Sequence, residues 1–409
     1  MRIFDRAPAI GAKTLTMSVA CCALLIQRAV CQTLHAPPVR GIEAVDSLVS
    51  AEFAKDSIGC ITVGVIAGSQ LAWTCSVGFA DMKTLHPPLK HFVFFGRDRA
   101  RIADSAFLAN PNIAGAQIKY TWRELEPRRN RYDFAAIAED LSALARHHKR
   151  LWIQLQDVSF GAENRVVPDY LLDDPAFSGG VADQYEGKAP STRFVGRMAR
   201  RWDPAVRARF ARLLDTLGRT FDGKIEGLNL AETSFSIGDD PASHPAGFTY
   251  DAYAQGIRAL MSAAHAALPR SRVIVYANFM PGEWLPDDDH GYLRGIYAYA
   301  DSIGVGVGGP DLLPFRRGQR NHSLRFIAAR GANTIAGLAV QDGNLAERNP
   351  ATGERASVEA LVRYATDTLR LDYIFWGTEE PYFSKEVLPW LAGIARPPDV
   401  VPRRAACCE

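Results

Sequence analysis

Eight short apolar runs, each followed by an amphipathic or polar segment, occupy the chain from residue 92 to residue 378. They are FVFFG (92–96), AGAQIKYTW (114–122), RLWIQLQ (150–156), IEGLNLAE (225–232), RVIVYANFM (272–280), DSIGVGVG (301–308), TIAGLAVQD (334–342) and DYIFWGT (372–378). Short, nearly continuous apolar runs suit strands buried on both faces, and their alternation with helical periodicity predicts parallel βα units. Eight such units predict an α/β fold, a closed (β/α)8 TIM barrel over residues 91–395, with a tail at 396–409. The intervening helices carry their own signals. Asp133 to His147 repeats apolar residues at three- and four-residue spacing behind an Asp, and Asp203 to Phe221 opens on Asp-Pro, a cap followed by the proline that suits a first turn. Tyr250 to Leu268 and Ser357 to Leu369 show the same periodicity. The long connections, 157–202, 233–249, 281–291, 309–322 and 343–356, all follow strand ends, so the fold gathers them on the C-terminal face where barrel sites are built.

Residues before this pattern read differently. Arg2, Arg6 and Lys13 precede an apolar run, Leu15 to Ile26, and Ala36 precedes two prolines. This is the arrangement of a secretory signal peptide over residues 1–36, implying a secreted or periplasmic protein; the run is short for a membrane anchor, the competing reading. GIEAVDSLVSAEFAKDS reads as a helix, and ITVGVIAGSQLAWTCSVGFADMKT as a hairpin about AGSQ, so residues 37–90 form a small helix-hairpin appendage.

Forty-seven basic against 45 acidic residues give a net charge of +2, which indicates neither a nucleic-acid partner nor, beyond export, a membrane partner. The seven cysteines, at 21, 22, 31, 60, 75, 407 and 408, leave the barrel without any, and their spacing builds no metal site. Cys60 and Cys75 are read either as a disulfide or as two small thiols.

The stretch YTWRELEPRRNRYDF (120–134), with LQDVSF (155–160) and VPDYL (167–171), resembles the retaining (β/α)8-barrel glycoside hydrolases of the cellulase, xylanase and β-galactosidase clan. The resemblance covers residues 92–392 and implies a carbohydrate substrate, a general acid/base Glu ending the fourth strand, and a nucleophilic Glu ending the seventh. The fourth run ends Leu230-Ala231-Glu232, so the acid is present and the usual preceding Asn is Ala. The seventh ends Val340-Gln341-Asp342-Gly343, which puts Gln341 in the nucleophile's place. An amide cannot form the glycosyl intermediate, so the second carboxylate is sought at Asp342 or at Glu379, with Glu380 beside it. Trp122, Trp284, Trp376 and Tyr382 are the expected sugar-stacking rings, and Arg123, Asp157, Asn229, Asn278, Gln341 and Glu380 the expected hydroxyl ligands. No metal or organic cofactor is implied, because acid-assisted cleavage needs only two carboxyl groups with separated pKa values. The rival reading is a glycan-binding barrel that has lost hydrolysis. Residues 37–90 resemble the N-terminal segment of serine β-lactamase-like hydrolases, yet the chain has no Ser-x-x-Lys and no Lys-Thr-Gly, so the segment is expected to be catalytically empty. Oligomeric state is left open.

Overall fold

The computed structural model describes residues 88–394, except 162, 187–191 and 239–243, together with the backbone of four strands nearer the N-terminus. Those strands, β1 (Ser18–Ala20), β2 (Val30–Thr33), β3 (Cys60–Ala67) and β4 (Gln70–Gly78), pair antiparallel in the order β1-β3-β4-β2. β3 and β4 are the two arms of the expected hairpin, and β1 and β2 fall within the segment read as a leader. The expected helix from Gly41 lies outside the described residues. Cys75 is registered opposite Val63 and Cys60 opposite Gly78, so these two cysteines do not occupy facing positions. The chain divides into two compact units at Pro88 and Leu89.

The second unit is a closed parallel barrel of eight strands, β5 (Lys90–Phe94), β6 (Ile113–Thr121), β7 (Arg150–Gln156), β10 (Gly227–Leu230), β11 (Arg272–Tyr276), β12 (Gly306–Gly309), β13 (Ala336–Val340) and β14 (Tyr373–Gly377). Between β7 and β10 a hairpin of β8 (Val181–Glu186) and β9 (Arg193–Ala199) stands outside the barrel. Its alternating polar sequence had read as loop. The sixth run is displaced: Asp301 to Ile303 ends the helix Tyr292–Ile303, and the strand begins at Gly306 after a left-handed Gly304 that terminates the helix. The fourth and fifth strands end earlier than the apolar runs suggest, which frees Glu232 and Asn278 from the sheet.

Two apolar cores follow from the two-residue alternation of the strands. One lies inside the barrel and consists of Phe92, Phe94, Trp152, Ile274, Tyr276, Ala339, Tyr373 and Phe375. The other, much larger, lies between the strands and the helices, where Val93, Ile118, Ile153, Leu228, Val275, Val307, Leu338 and Trp376 face outward. The inner core is asymmetric. Aromatic residues from β5, β7 and β14 fill it, and β12 and β13 answer with Gly306, Gly308, Gly337 and Ala339. A Cβ at Gly308 would come within 2.1 Å of the Gly337 carbonyl oxygen, and one at Gly337 within 2.9 Å of the Phe375 ring.

Glu126, from the Glu-Pro pair of the second unit, is fully buried and carries its own set of donors. It accepts from Trp122 Nε1 at 2.9 Å, Tyr170 Oη at 2.8 Å and the Asn130 N–H at 3.0 Å, and forms an ion pair with Arg209 of the helix Pro204–Phe221. The Asp203 cap of that helix accepts from the Ala205 and Val206 N–H groups, as its Asp-Pro start implies.

Substituting Gly308→Ala is expected to lower unfolding stability by about 3 kcal/mol, because the β12–β13 backbones cannot separate without disturbing the inner core. Urea denaturation of the variant beside wild type measures it, and an unchanged midpoint contradicts the close-approach argument.

Candidate active site

Glu232 sits two residues beyond β10, and its backbone is held from below. Arg201, at the foot of the hairpin, forms a two-pronged ion pair with Asp157 at 2.6 and 2.8 Å, both side chains being no more than 4% exposed. The remaining prong, Nη1, donates to the Glu232 carbonyl oxygen at 2.6 Å and to Tyr253 Oη at 3.2 Å. Tyr253 in turn donates to the Thr233 carbonyl at 2.8 Å. The loop carrying Glu232 therefore hangs on a buried guanidinium whose charge is neutralised by Asp157.

The Glu232 side chain is fixed from the next strand. Asn278 Oδ1 accepts from the Phe279 N–H at 3.0 Å and the Ser234 N–H at 3.2 Å. With its oxygen so occupied, the amide must turn its NH2 group outward, and Nδ2 donates to Glu232 Oε2 at 2.8 Å. Burial pushes the Glu232 carboxyl up to about 7, with repulsion from Asp311 adding to it and the Asn278 bond, Lys119 and Arg201 opposing it. The group therefore keeps a substantial protonated fraction near neutral pH, where an ordinary carboxyl has almost none.

Asp311, two residues past β12, was missed by sequence reasoning. Its Oδ1 accepts from Asn344 Nδ2 at 2.9 Å and its Oδ2 from Gln319 Nε2 at 3.1 Å, and its backbone bridges to Val340 at the end of β13. Burial raises its pKa above the ordinary carboxylate value, against the Asn344 bond and Arg316. The signal was present in the sequence as Gly-Gly-Pro-Asp after a strand, but a sixth run placed at 301–308 consigned it to loop.

Lys119 of β6 completes the cluster. It shares the inward parity of Gly115 and Gln117, and its ammonium lies 5.0 Å from the centre of the Phe94 ring. Burial lowers its pKa, while the fields of Glu232 and Asp342 raise it, so the ammonium lies within electrostatic reach of both carboxylates. Deeper in the barrel Gln117 Nε2 donates to Asn229 Oδ1 at 2.8 Å and to Tyr276 Oη at 3.0 Å.

The other sequence-derived residues divide clearly. Asp342 is exposed at the mouth, its Oδ1 lying over Gly377. Gln341 keeps the inward parity of Ala339, and its Nε2 is buried with no protein hydrogen-bond partner. Glu379 is partly buried in the field of Arg355, with Oε2 likewise unpartnered. Glu380 is exposed and accepts from its own Ser384 Oγ at 2.5 Å, a helix-start contact in place of the expected sugar contact. Trp284 is 56% exposed and is propped by Phe279, parallel at 5.7 Å between centroids, and by His322 at 4.9 Å.

Four expectations are corrected by burial. Trp376 is fully buried, stacked on His91 and donating to its Nδ1 at 3.2 Å, because position 376 has outward parity on β14. Trp122 is fully buried against Phe210, its N–H spent on Glu126. Neither offers a ring face to a sugar. Asp157 and Asn229 are also interior, committed to Arg201 and Gln117. Arg123 forms a rim ion pair with Asp169 at 2.7 Å, and Tyr382 packs under the Arg355 guanidinium, 4.3 Å from its ring centre. Phe160, 51% exposed, and Tyr185, 37% exposed, are open aromatics that the sequence did not single out.

No family model matches the chain, and no curated protein matches it. Among solved structures it is similar to the catalytic domain of β-amylase from Paenibacillus polymyxa, with TM-score 0.50 and 7% identity over 71% of this chain and 92% of that one. It is also similar to a GH5_18 protein from Streptomyces cattleya solved with Manβ1-4GlcNAc, at TM-score 0.45 and 14% identity over 70% of each chain. A GH10 endoxylanase from a sugarcane soil metagenome gives TM-score 0.43 and 14% identity over 71% of this chain and 86% of that one. The β-amylase likeness, at 7% identity, shows a shared fold alone.

The raised Glu232 carboxyl fixes a stability trend. A carboxyl whose folded pKa lies near 7, above its unfolded value of 4.5, binds its proton more tightly when folded, so its stabilising effect is complete below 4.5 and is lost as pH rises towards 7. Glu232→Gln, which keeps an oxygen for Asn278, is expected to be more stable than wild type at pH 8 by on the order of 2 kcal/mol and nearly equal at pH 4. Thermal unfolding of both proteins across that range checks the sign.

Proposed function

We propose that the protein hydrolyses a glycosidic bond of a β-linked oligo- or polysaccharide, with Glu232 as the general acid. The carrying observation is a carboxyl held by Asn278 at the barrel mouth and raised to about 7 by burial, with the field of Asp311 adding to the shift. Acid–base cleavage needs one carboxyl that keeps a proton near neutral pH and a second carboxylate near it, and burial supplies the first at Glu232. Asp311 is the preferred partner over Asp342 and Glu379, since its charge is the carboxylate field that raises Glu232. In this reading Glu232 gives its proton to the leaving oxygen, and Asp311 either attacks the anomeric carbon or takes a proton from the attacking water. Gln341, aimed inward with a free amide, and Trp284, with an open ring face, are substrate contacts.

A second reading draws on the same Gln341. Its amide stands where the resembling hydrolases keep their nucleophile, which favours a barrel that binds glycans without cleaving them.

Hydrolysis of β-linked oligosaccharides by wild type, Glu232→Gln, Asp311→Asn, Asp342→Asn and Glu379→Gln separates these readings. The first two substitutions are expected to lower kcat by about 10²–10⁴-fold, and the other two by much less. The wild-type rate falls as pH rises through about 7, where Glu232 loses its proton, and falls at acid pH as Asp311 gains one. NMR of the anomer first released reports whether the carboxylates enclose a water. Glycan binding with no turnover on any substrate transfers the conclusion to the non-catalytic barrel, and a larger loss at Asp342 or Glu379 overturns the choice of Asp311.

A further inference from the structure

The connections after β12 and β13 enclose a groove of about 780 Å³ whose walls carry Arg316, Arg317, Arg320 and Arg348 against one carboxylate, Glu347. These two connections also supply the residues that hold Asp311: Gln319 comes from the first and Asn344 from the second. The groove is therefore built from the same two connections that hold Asp311. Arg316 and Glu347 tie its walls together through a two-pronged ion pair at 2.9 and 2.8 Å. Arg317 meets Asp287 at 3.5 Å with both side chains mostly exposed, a contact of little strength in water. Arg320 and Arg348 are exposed and have no carboxylate partner among the described residues. Gly318, next to Arg317 in the chain, packs against the Trp284 ring, which a Cβ there would meet at 3.6 Å, so the aromatic platform adjoins the groove wall.

We infer that this surface binds an anionic glycan, a chain whose sugar rings carry carboxylate or sulfate groups, with one ring on Trp284 and the following charges on Arg317, Arg320 and Arg348. The inference deepens the glycosidase reading by naming its substrate class. Its chemistry is that of planar, permanently charged guanidinium forks, which match carboxylate and sulfate oxygens two at a time. A neutral sugar would leave this concentration of like charge uncompensated, whereas an acidic chain relieves it.

Binding is measured by calorimetry with Glu232→Gln protein, so that the result does not depend on whether the bond is cleaved. The probes are a β-1,4-linked glucuronic acid hexasaccharide, cellohexaose as its uncharged counterpart, sulfated cellohexaose, and a DNA oligonucleotide of matching charge. The glucuronate or the sulfated chain is expected to bind about tenfold or more tighter than cellohexaose at low salt. Which of the two is preferred identifies the anion. Adding Arg320→Ala and Arg348→Ala together is expected to erase that preference while leaving the melting temperature and the weak affinity for cellohexaose in place. Adding Trp284→Ala is expected to weaken binding of charged and uncharged chains alike. Equal affinity for charged and uncharged hexasaccharides, a preference that survives loss of both arginines, or DNA binding as tight as the acidic glycan would each overturn the inference. Failure of hydrolysis in the earlier assay, with this preference intact, would remove the enzyme and keep the ligand class.

Discussion

The buried pair of Arg201 and Asp157 fixes where the chemistry of this barrel can be. β10 ends at Leu230, and nothing in a strand's own ladder determines the path of the residues after it. Arg201 supplies that determination by donating to the Glu232 carbonyl, and Tyr253 supports the next carbonyl along. A guanidinium in an apolar setting is tolerated only because Asp157 takes two of its nitrogens in good geometry. Asn278 then needs only to orient a side chain whose backbone is already placed. The residue that the sequence offered as a sugar ligand, Asp157, is thus one layer beneath the site and shapes it through Arg201.

Charge is distributed over this face in two distinct regimes. Around Glu232 the groups are shielded from water, and burial shifts their protonation first, with neighbours such as Asp311 and Lys119 adding to it or opposing it. Along the groove between the β12 and β13 connections the arginines are exposed, and solvent weakens each individual pairing. The first regime is the one the proposed acid catalysis calls for, and the second the one the proposed binding of a charged chain calls for. Asp311 is bonded by residues of both connections that build the groove.

Much of the scaffold was legible because it rests on periodicity. The eight apolar runs became eight strands, and the Asp-Pro start of the helix Pro204–Phe221 behaved as its chemistry implies. Glu232 was legible as a carboxylate ending the fourth run. What escaped depended on parity and on strand ends. Trp376 and Trp122 sit near the C-terminal face in sequence, yet they project into the helix layer, and a run of apolar residues does not announce which way its alternation points. Asp311 escaped because the helix Tyr292–Ile303 and β12 are both apolar and nearly contiguous, so the strand was drawn a few residues early. Arg201 gave no signal at all, lying in a basic stretch that reads as a solvated surface.

The β8–β9 hairpin adds a further dimension to this arrangement. It stands outside the barrel ladder, yet it is stitched to the loop that follows Glu232: the Tyr185 N–H donates to the Ser236 carbonyl at 2.9 Å, and Ser236 Oγ donates back to the Tyr185 carbonyl. Gln184 also donates to the Ser159 carbonyl at 2.8 Å, joining the hairpin to the end of the third barrel unit. No barrel strand takes its register from this hairpin, so a change in β8 or β9 leaves every barrel strand pairing as it is. Its base, in contrast, touches the segment that bears the acid. The hairpin thus couples to the Glu232 loop through its base alone, and the barrel ladder is independent of it.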